Sequence, residues 1–317
     1  MEWMHNSWEG SAQEALLSRI VQKHQRINAG RPLPQVAIAR MRQDLLLEWT
    51  YHSNSIEGNT LTLQETRVVI EHGITIGGKT LREHFEAINH HKAIAFIETL
   101  AQPEYQLNAS DILRVHGLVL QNIEQEYAGR YRNAGVRITG ANFTPPNALK
   151  VDALMNELID WVNHETTLPL PVKACIFHHR FVWIHPFFDG NGRTTRLLFN
   201  LLLLQQGFPP AIILQQDRKK YYDALNRAND GHYGKLLLLV LQALERSLDI
   251  FISQIDDNQD EFRPISSIVE EAQLPYGQEY ISLLVRQGKI AGHKEGKAWL
   301  TTAEAVNTYL KGRKRKR

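Results

Sequence analysis

A mainly α-helical protein that ends in a small unit of helices and one β-hairpin is the fold class this sequence predicts. Three observations carry it. Apolar residues recur at helical spacing through most of the first 260 positions. Two capping boxes, Thr62-x-x-Glu65 and Thr80-x-x-Glu83, mark helix starts. From residue 263 short helical stretches give way to strand-like runs on either side of Lys294-Glu295-Gly296. The first box opens a helix to about Glu71. The second opens one to about Leu100, with Leu81, Phe85, Ile88, Ala95 and Phe96 in phase. Further helices are expected over Asp111–Ile123, Asp152–His164, Pro171–Ile184 with proline at its first position, the stretch after Gly192, Arg218–Ala228 and Leu236–Ile255. The one clear β signal before residue 260 is Gly135-Val136-Arg137-Ile138-Thr139-Gly140, which alternates and is flanked by glycines. A turn-rich Asn142-Phe143-Thr144-Pro145-Pro146 follows it. The expected divisions are N-terminal helices over 1–100, a core over 101–260, a small domain over 261–310 and a disordered basic tail over 311–317.

A chain of 317 residues exceeds the usual size of one hydrophobic core, which agrees with two domains. The single cysteine, Cys175, excludes an internal disulfide framework, and its apolar neighbours suggest a core thiol. Residues 1–5 carry no signal-like pattern, and the apolar runs near 197–204 and 236–241 are far too short to cross a membrane. The expected location is the cytoplasm, with no membrane partner. Charge is uneven: from Phe262 onward eleven Lys and Arg face five Glu, whereas the first 261 residues hold 25 basic against 29 acidic side chains. That asymmetry points the C-terminal end toward a polyanion or an acidic partner, with a merely solvated tail as the plain alternative.

The densest chemistry lies in His185-Pro-Phe-Phe-Asp189-Gly-Asn191-Gly-Arg193-Thr-Thr-Arg196, after which an apolar helix begins at Leu197. Gly190-Asn191-Gly192 thus falls at a helix N-terminus, where unpaired N–H groups and the helix dipole favour phosphate oxygens. Arg193 and Arg196, three apart, can reach one anion with forked donors. Asp189 suits a Mg²⁺ ion that keeps several waters and bridges a carboxylate to phosphates. His185 is the one group here able to accept a proton near neutral pH. Together they imply attack by a hydroxyl on a metal-bound polyphosphate.

This string resembles, at every defined position, the HPFx[D/E]GNGRxxR signature of the Fic (Fido) family. The resemblance implies a Fic helical core with a β-hairpin flap. It also implies transfer of AMP from ATP to a Ser, Thr or Tyr hydroxyl of a target protein or of the chain itself. His185 would be the base and Asp189 the Mg²⁺ ligand. Gly190, Asn191, Gly192 and Arg193 would hold phosphates, and Arg196 would meet the γ-phosphate. Phe187 would pack inward. Val136, Arg137, Ile138 and Thr139 would form the flap beside the nucleotide. Upstream, Ser53-Asn-Ser-Ile-Glu57-Gly58 fits the family's inhibitory pattern [S/T]xxxE[G/N]. By spacing alone Glu57 could be a solvated carboxylate at a helix end. Beside the downstream string it reads as a brake that pairs with Arg196 and repels ATP. The stretches 55–65 and 216–222 are similar to animal endoplasmic-reticulum members of the family, in which the equivalents of Tyr221, Tyr222 and Asn229 surround adenosine. There the glutamate also positions the water that removes AMP.

Two tempting motifs are rejected. Gly73-Ile-Thr-Ile-Gly-Gly78-Lys79-Thr80 satisfies GxxxxGK[ST] but follows a capped helix instead of a strand; Gly73 reads as a helix C-cap and Gly77-Gly78 as a turn. The pairs His90-His91 and His178-His179 lack zinc spacing. At the C-terminus, helices over Ile265–Ala272 and Gln278–Gln287 flank a turn at Leu274-Pro275-Tyr276-Gly277, and a hairpin and a last helix from Thr302 follow. This resembles the winged helix-turn-helix of excisionase and MerR-type proteins. In such a unit Gln278, Glu279, Ser282 and Arg286 would face DNA bases. Small winged helices also dock proteins. A DNA-binding regulator that senses ATP therefore stands as the second function class. The expected partners are ATP, a hydroxyl-bearing target, DNA and a second copy of the chain.

Overall fold

The computed structural model describes residues 10–29, 35–254, 261–271, 276–296 and 298–314. Its larger part is helical. Helix α1 (Ser11–Ala29) packs on a late helix, α10 (Gly234–Ser253). Between them in sequence come α2 (Gln35–Ile56), α3 (Leu63–His72), α4 (Leu81–Leu100), α5 (Ala109–Val119), α6 (Val151–His164), α7 (Leu170–Ile184), α8 (Asn191–Gln205) and α9 (Arg218–Asn229). Both capping boxes form: Thr62 and Thr80 each accept from the backbone three residues on, and Glu65 and Glu83 reach back. Gly73 ends α3 at φ 64°, which settles the rejected phosphate-loop motif as a helix end and a turn. Helix α5 starts at the Asn108 cap and ends four residues short of Ile123, where Asn122 takes φ 59°.

The centre is the pair α7 and α8, buried along nearly their whole length and joined by the six residues 185–190. Phe177, Phe181, Phe187, Leu197, Leu198 and Leu201 lie in one continuous core with Trp49, Ile94 and Ile112. Both helices bury polar residues as well, among them His178, Arg180, Arg193 and Arg196; α2, α4 and α5 cover α8 and α10 backs α7. That enclosure holds both ends of the 185–190 loop on rigid elements.

Two local expectations fail. Residues 135–140 alternate in exposure, with Val136 and Ile138 half-buried, but no strand forms. A strand needs a neighbouring strand for its backbone groups; here the Ile138 carbonyl accepts from Ala141 N in a local turn and the Gly140 carbonyl from the Asn226 side chain. Nor does disorder begin at Lys311: α13 (Ala303–Lys314) continues into the basic tail because Lys and Arg are good helix formers. Residues 315–317 lie outside the described residues.

The C-terminal unit has its own small core of Ile265, Ile268, Ile281, Leu284, Val285, Ile290 and Val306. It comprises β1 (Arg263–Pro264), α11 (Ile265–Glu271), α12 (Gln278–Arg286), β2 (Gly292–Glu295), β3 (Ala298–Thr301) and α13, with an antiparallel sheet in the order β1-β3-β2. Glu295 pairs with Ala298, so the first strand of the hairpin runs two residues past the expected His293, and Gly296 follows it at φ 54°. The turn expected at 274–277 falls partly outside the described residues. The unit is docked on the helical part: Gln242 donates to the carbonyls of Val285 and Arg286, and Arg19 to that of Gly288. Beneath that junction, Lys23 and Arg19 neutralise Glu245, and Lys23 also meets Asp249.

Candidate active site

Residue His185 caps α7 in the left-handed region at φ 50°, an uncommon conformation for a residue with a Cβ. Four fixings hold it there. Its N–H bonds Phe181 O. Its carbonyl accepts from Arg132 Nε at 2.8 Å, and Arg132 N donates to Pro186 O at 2.9 Å. Asn191 clasps the loop, accepting from Phe187 N at 2.9 Å and donating to Phe187 O at 2.8 Å. Phe187, fully buried, stacks flat on His116 with centroids 3.5 Å apart. His116 Nδ1 accepts from Gly129 N–H, so its Nε2 carries the proton and donates to Asp189 O at 3.0 Å. Gly190, at φ 74°, lies against the His116 ring, where a side chain would press on it. Arg132, Glu86, Arg82 and His116 escape a sequence reading because their partners lie tens of residues away.

Burial holds the His185 imidazole well below its ordinary range, at about 4, with Arg132 adding to the effect. It is therefore neutral at pH 7 and able to take a proton. Asp189 is more exposed and stays ionised: burial works against its charge, but Arg193, the Gly190 N–H and Arg82 more than offset that and lower its pKa. Arg82 Nη2 lies 2.6 Å from Asp189 Oδ2, and Arg193 Nη1 lies 3.0 Å from Glu86. Among the described residues no cluster of three metal-ligating side chains exists. A lone carboxylate facing an anion site fits a Mg²⁺ ion that arrives with phosphates and keeps its waters.

The N-terminus of α8 is covered by a carboxylate. Glu57, just past α2, lays its carboxylate over Gly192 in the first turn of α8, where even a methyl group on Gly192 would collide with it. Arg196, nearly buried, donates to Glu57 Oε1 at 2.8 Å and to the carbonyl and hydroxyl of Ser53 at 2.8 and 3.0 Å. Tyr222 OH lies 3.4 Å from the other Glu57 oxygen, and Arg218, stacked over the Tyr222 ring, donates to Ile56 O at 2.7 Å.

The structure thus brings together His185, Asp189, Gly190, Gly192, Arg193, Arg196, Glu57 and Tyr222. The side chains of other expected site residues are engaged with the surrounding fold. Asn191 spends its side chain on Phe187. Tyr221 is 1% exposed; it bonds His178 Nε2 and also Arg196, so it backs that arginine from the core. Asn229 is held between His179 and Asn142. Val136–Thr139 make no hydrogen bond to the 185–196 segment among the described residues. On α12, Gln278, Glu279 and Arg286 are exposed and Ser282 partly so, but Arg286 lines the cleft facing the helical part.

Residues 106–203 match the model of the Fic/DOC family. The protein adenylyltransferase fic-1 of Caenorhabditis elegans is 37% identical over 71% of this chain and 44% of its own length. The solved structure of residues 134–508 of Fic-1 from C. elegans superimposes with a TM-score of 0.71 at 33% identity, over 76% of this chain and 72% of that one. A Fic family protein from Desulfovibrio desulfuricans, 24% identical, shares the fold over 93% of this chain and 96% of its own, with a TM-score of 0.66. The chain belongs to the Fic/DOC family. It spans about half the length of the curated relatives it matches.

Proposed function

We propose that this protein is an adenylyltransferase that moves AMP from ATP to a hydroxyl of a target protein and of itself, and that Glu57 restrains it. One observation carries the reading: a neutral histidine, strained into place, shares a six-residue loop with a helix N-terminus whose anion position is filled by an internal carboxylate. The names of relatives such as protein adenylyltransferase fic-1 support the choice of AMP as the transferred group.

In this reading the triphosphate enters where Glu57 now lies. The first N–H groups of α8 and Arg193 and Arg196 bind its oxygens. Asp189 would hold Mg²⁺, which when bound supplies charge neutralisation along the polyphosphate. The target hydroxyl oxygen attacks the α-phosphorus. A new phosphorus–oxygen bond forms, the bond to the bridging oxygen of the β-phosphate breaks, pyrophosphate leaves, and the hydroxyl proton passes to His185. The phosphate charge beside the imidazole raises its basicity from the low value of the empty site. Glu57 would also be placed to orient a water for removal of AMP. Incubation with ATP labelled at the α-phosphate tests the reading: covalent label on protein from Glu57→Gly, and none from Glu57→Gly/His185→Ala, is the expected result.

For the C-terminal unit, the duplex-binding reading rests on the basic surplus of residues 262–317. Of the four α12 residues expected at bases only Arg286 is basic, and Glu279 would repel phosphates.

A further inference from the structure

Between the helical part and the C-terminal unit lies a cleft of about 350 Å³ that takes no part in the site above. Its walls are apolar: Leu238 and Leu239 of α10 and Ile213 face Trp299 of β3. Its charges are lopsided. Lys220, Lys235, Arg246, Arg286 and Lys294 line it against Asp217 and Asp223. Two of the five cations are already satisfied, Lys220 by Asp217 at 2.9 Å and Arg246 by Glu48 at 2.9 Å. Lys235, Arg286 and Lys294 form no ion pair among the described residues and come from both sides of the cleft. Arg246 Nε, on the floor, has no hydrogen-bond partner either.

Five cations from two structural units face only two carboxylates there, one of them already paired with Lys220, so positive charge is in excess and an anion would relieve it. A half-buried indole opposite two leucines adds a flat apolar slot. The volume lies at the lower end of small-ligand pockets, which carry a few polar groups among mostly apolar walls. We infer that this cleft binds a small aromatic anion, an aryl phosphate or aryl carboxylate no larger than a mononucleotide, with its ring against Trp299 and its charge between Lys235, Lys294 and Arg286.

The inference can be tested on the full chain with two dyes of like aromatic body, the anionic 1-anilinonaphthalene-8-sulfonate and the neutral N-phenyl-1-naphthylamine. Saturable binding of one sulfonate dye per chain, at least tenfold tighter than the neutral dye, is expected. Lys235→Glu/Arg286→Glu changes only exposed side chains and should weaken the sulfonate dye at least tenfold while leaving the melting temperature and the neutral dye's binding unchanged. Trp299→Ala should weaken both dyes. Phenyl phosphate or benzoate should displace the bound sulfonate dye, and the better competitor identifies the head group. Dye binding indifferent to the charge reversals, equal binding of the two dyes, or displacement by neither competitor would overturn the inference.

Discussion

Replacing Glu57 by glycine removes the one anion that competes with a polyphosphate for the first turn of α8. With it goes a charge-assisted bond to an arginine whose side chain is 4% exposed. Such a bond contributes about 1.5–3 kcal/mol. The carboxylate's interaction with the positive end of the helix adds about 0.3–1 kcal/mol. Ser53 keeps two of its bonds to Arg196, so the guanidinium remains aimed after the substitution. Every kilocalorie that held Glu57 in the anion site is one that ATP no longer has to displace. Productive ATP binding should therefore rise roughly twenty- to several-hundredfold. Glu57→Gln, which keeps the size but not the charge, should fall between. Initial rates of self-labelling from α-labelled ATP and calorimetric ATP affinity read the two effects separately. If wild type and Glu57→Gly label at the same rate and bind ATP equally, the carboxylate is no competitor and the brake reading is wrong.

Other outcomes follow from the same geometry. In a Glu57→Gly background His185→Ala should cut transfer by about 10²–10⁴-fold with ATP affinity within a factor of about two, since the imidazole meets the hydroxyl and not the nucleotide; loss of both together in calorimetry and turnover would reassign the residue. Arg132→Leu strands the carbonyls of His185, Ala134 and Pro146 and should destabilise the fold by about 3 kcal/mol, read as a lower denaturant midpoint. Arg82→Gln frees Asp189, so the Mg²⁺ concentration for half-maximal labelling should drop several-fold; an unchanged value would show that Arg82 does not compete there. Burial holds His52, His116, His179 and His185 at about 4 and His178 at about 3, all below their unfolded range. The unfolded chain binds those protons first, so stability is intact above about pH 6.5 and is lost as pH falls toward 4; at pH 5.5 each histidine costs about 1.4 kcal/mol, enough together to rival a typical folding free energy. Circular dichroism should show acid unfolding near pH 5, and a native spectrum and melting temperature at pH 4.5 would contradict the burial argument.

What can be read from the sequence is what is local. Capping boxes, helix ends at glycine and the 185–196 string all have their causes within a few residues, and each forms where expected. The pairing of Glu57 with Arg196 spans 139 residues and is legible only through the resemblance. Nothing in the sequence separates Arg132 from the surface arginines around it, although its side chain ties the His185 carbonyl to those of Ala134 and Pro146. Tyr221 and Tyr222 show the limit from the other side. Adjacent residues on a helix point about 100° apart, so the two meet the Glu57–Arg196 pair from different sides, Tyr222 at the carboxylate and Tyr221 at the arginine from the core, and that division depends on where α7 packs. The 135–140 segment alternates as a strand should, but alternation cannot supply the second strand that would pair with it.

The same carboxylate can restrain attachment and assist removal without contradiction. ATP needs both the N–H groups of α8 and the arginines, because three phosphates must be held at once. A target that already carries AMP has one phosphate and leaves the γ-phosphate position vacant. On the proposed function, Glu57 seated on Arg196 would therefore exclude the first substrate and be compatible with the second. Which reaction runs would then depend, on the same reading, on how firmly the end of α2 is held in place. That grip comes from outside the site: Arg218 on the Ile56 carbonyl, Arg246 on Glu48 at 2.9 Å, and the packing of Trp49 and Ile56 in the core. Loosening the grip without touching the site should shift the balance toward attachment. Arg246→Ala, which frees Glu48 from α10, should raise self-labelling while a wild-type Glu57 is still present. If instead it leaves labelling unchanged but lowers the melting temperature, α2 is merely packed there and the grip has no bearing on the direction of the reaction.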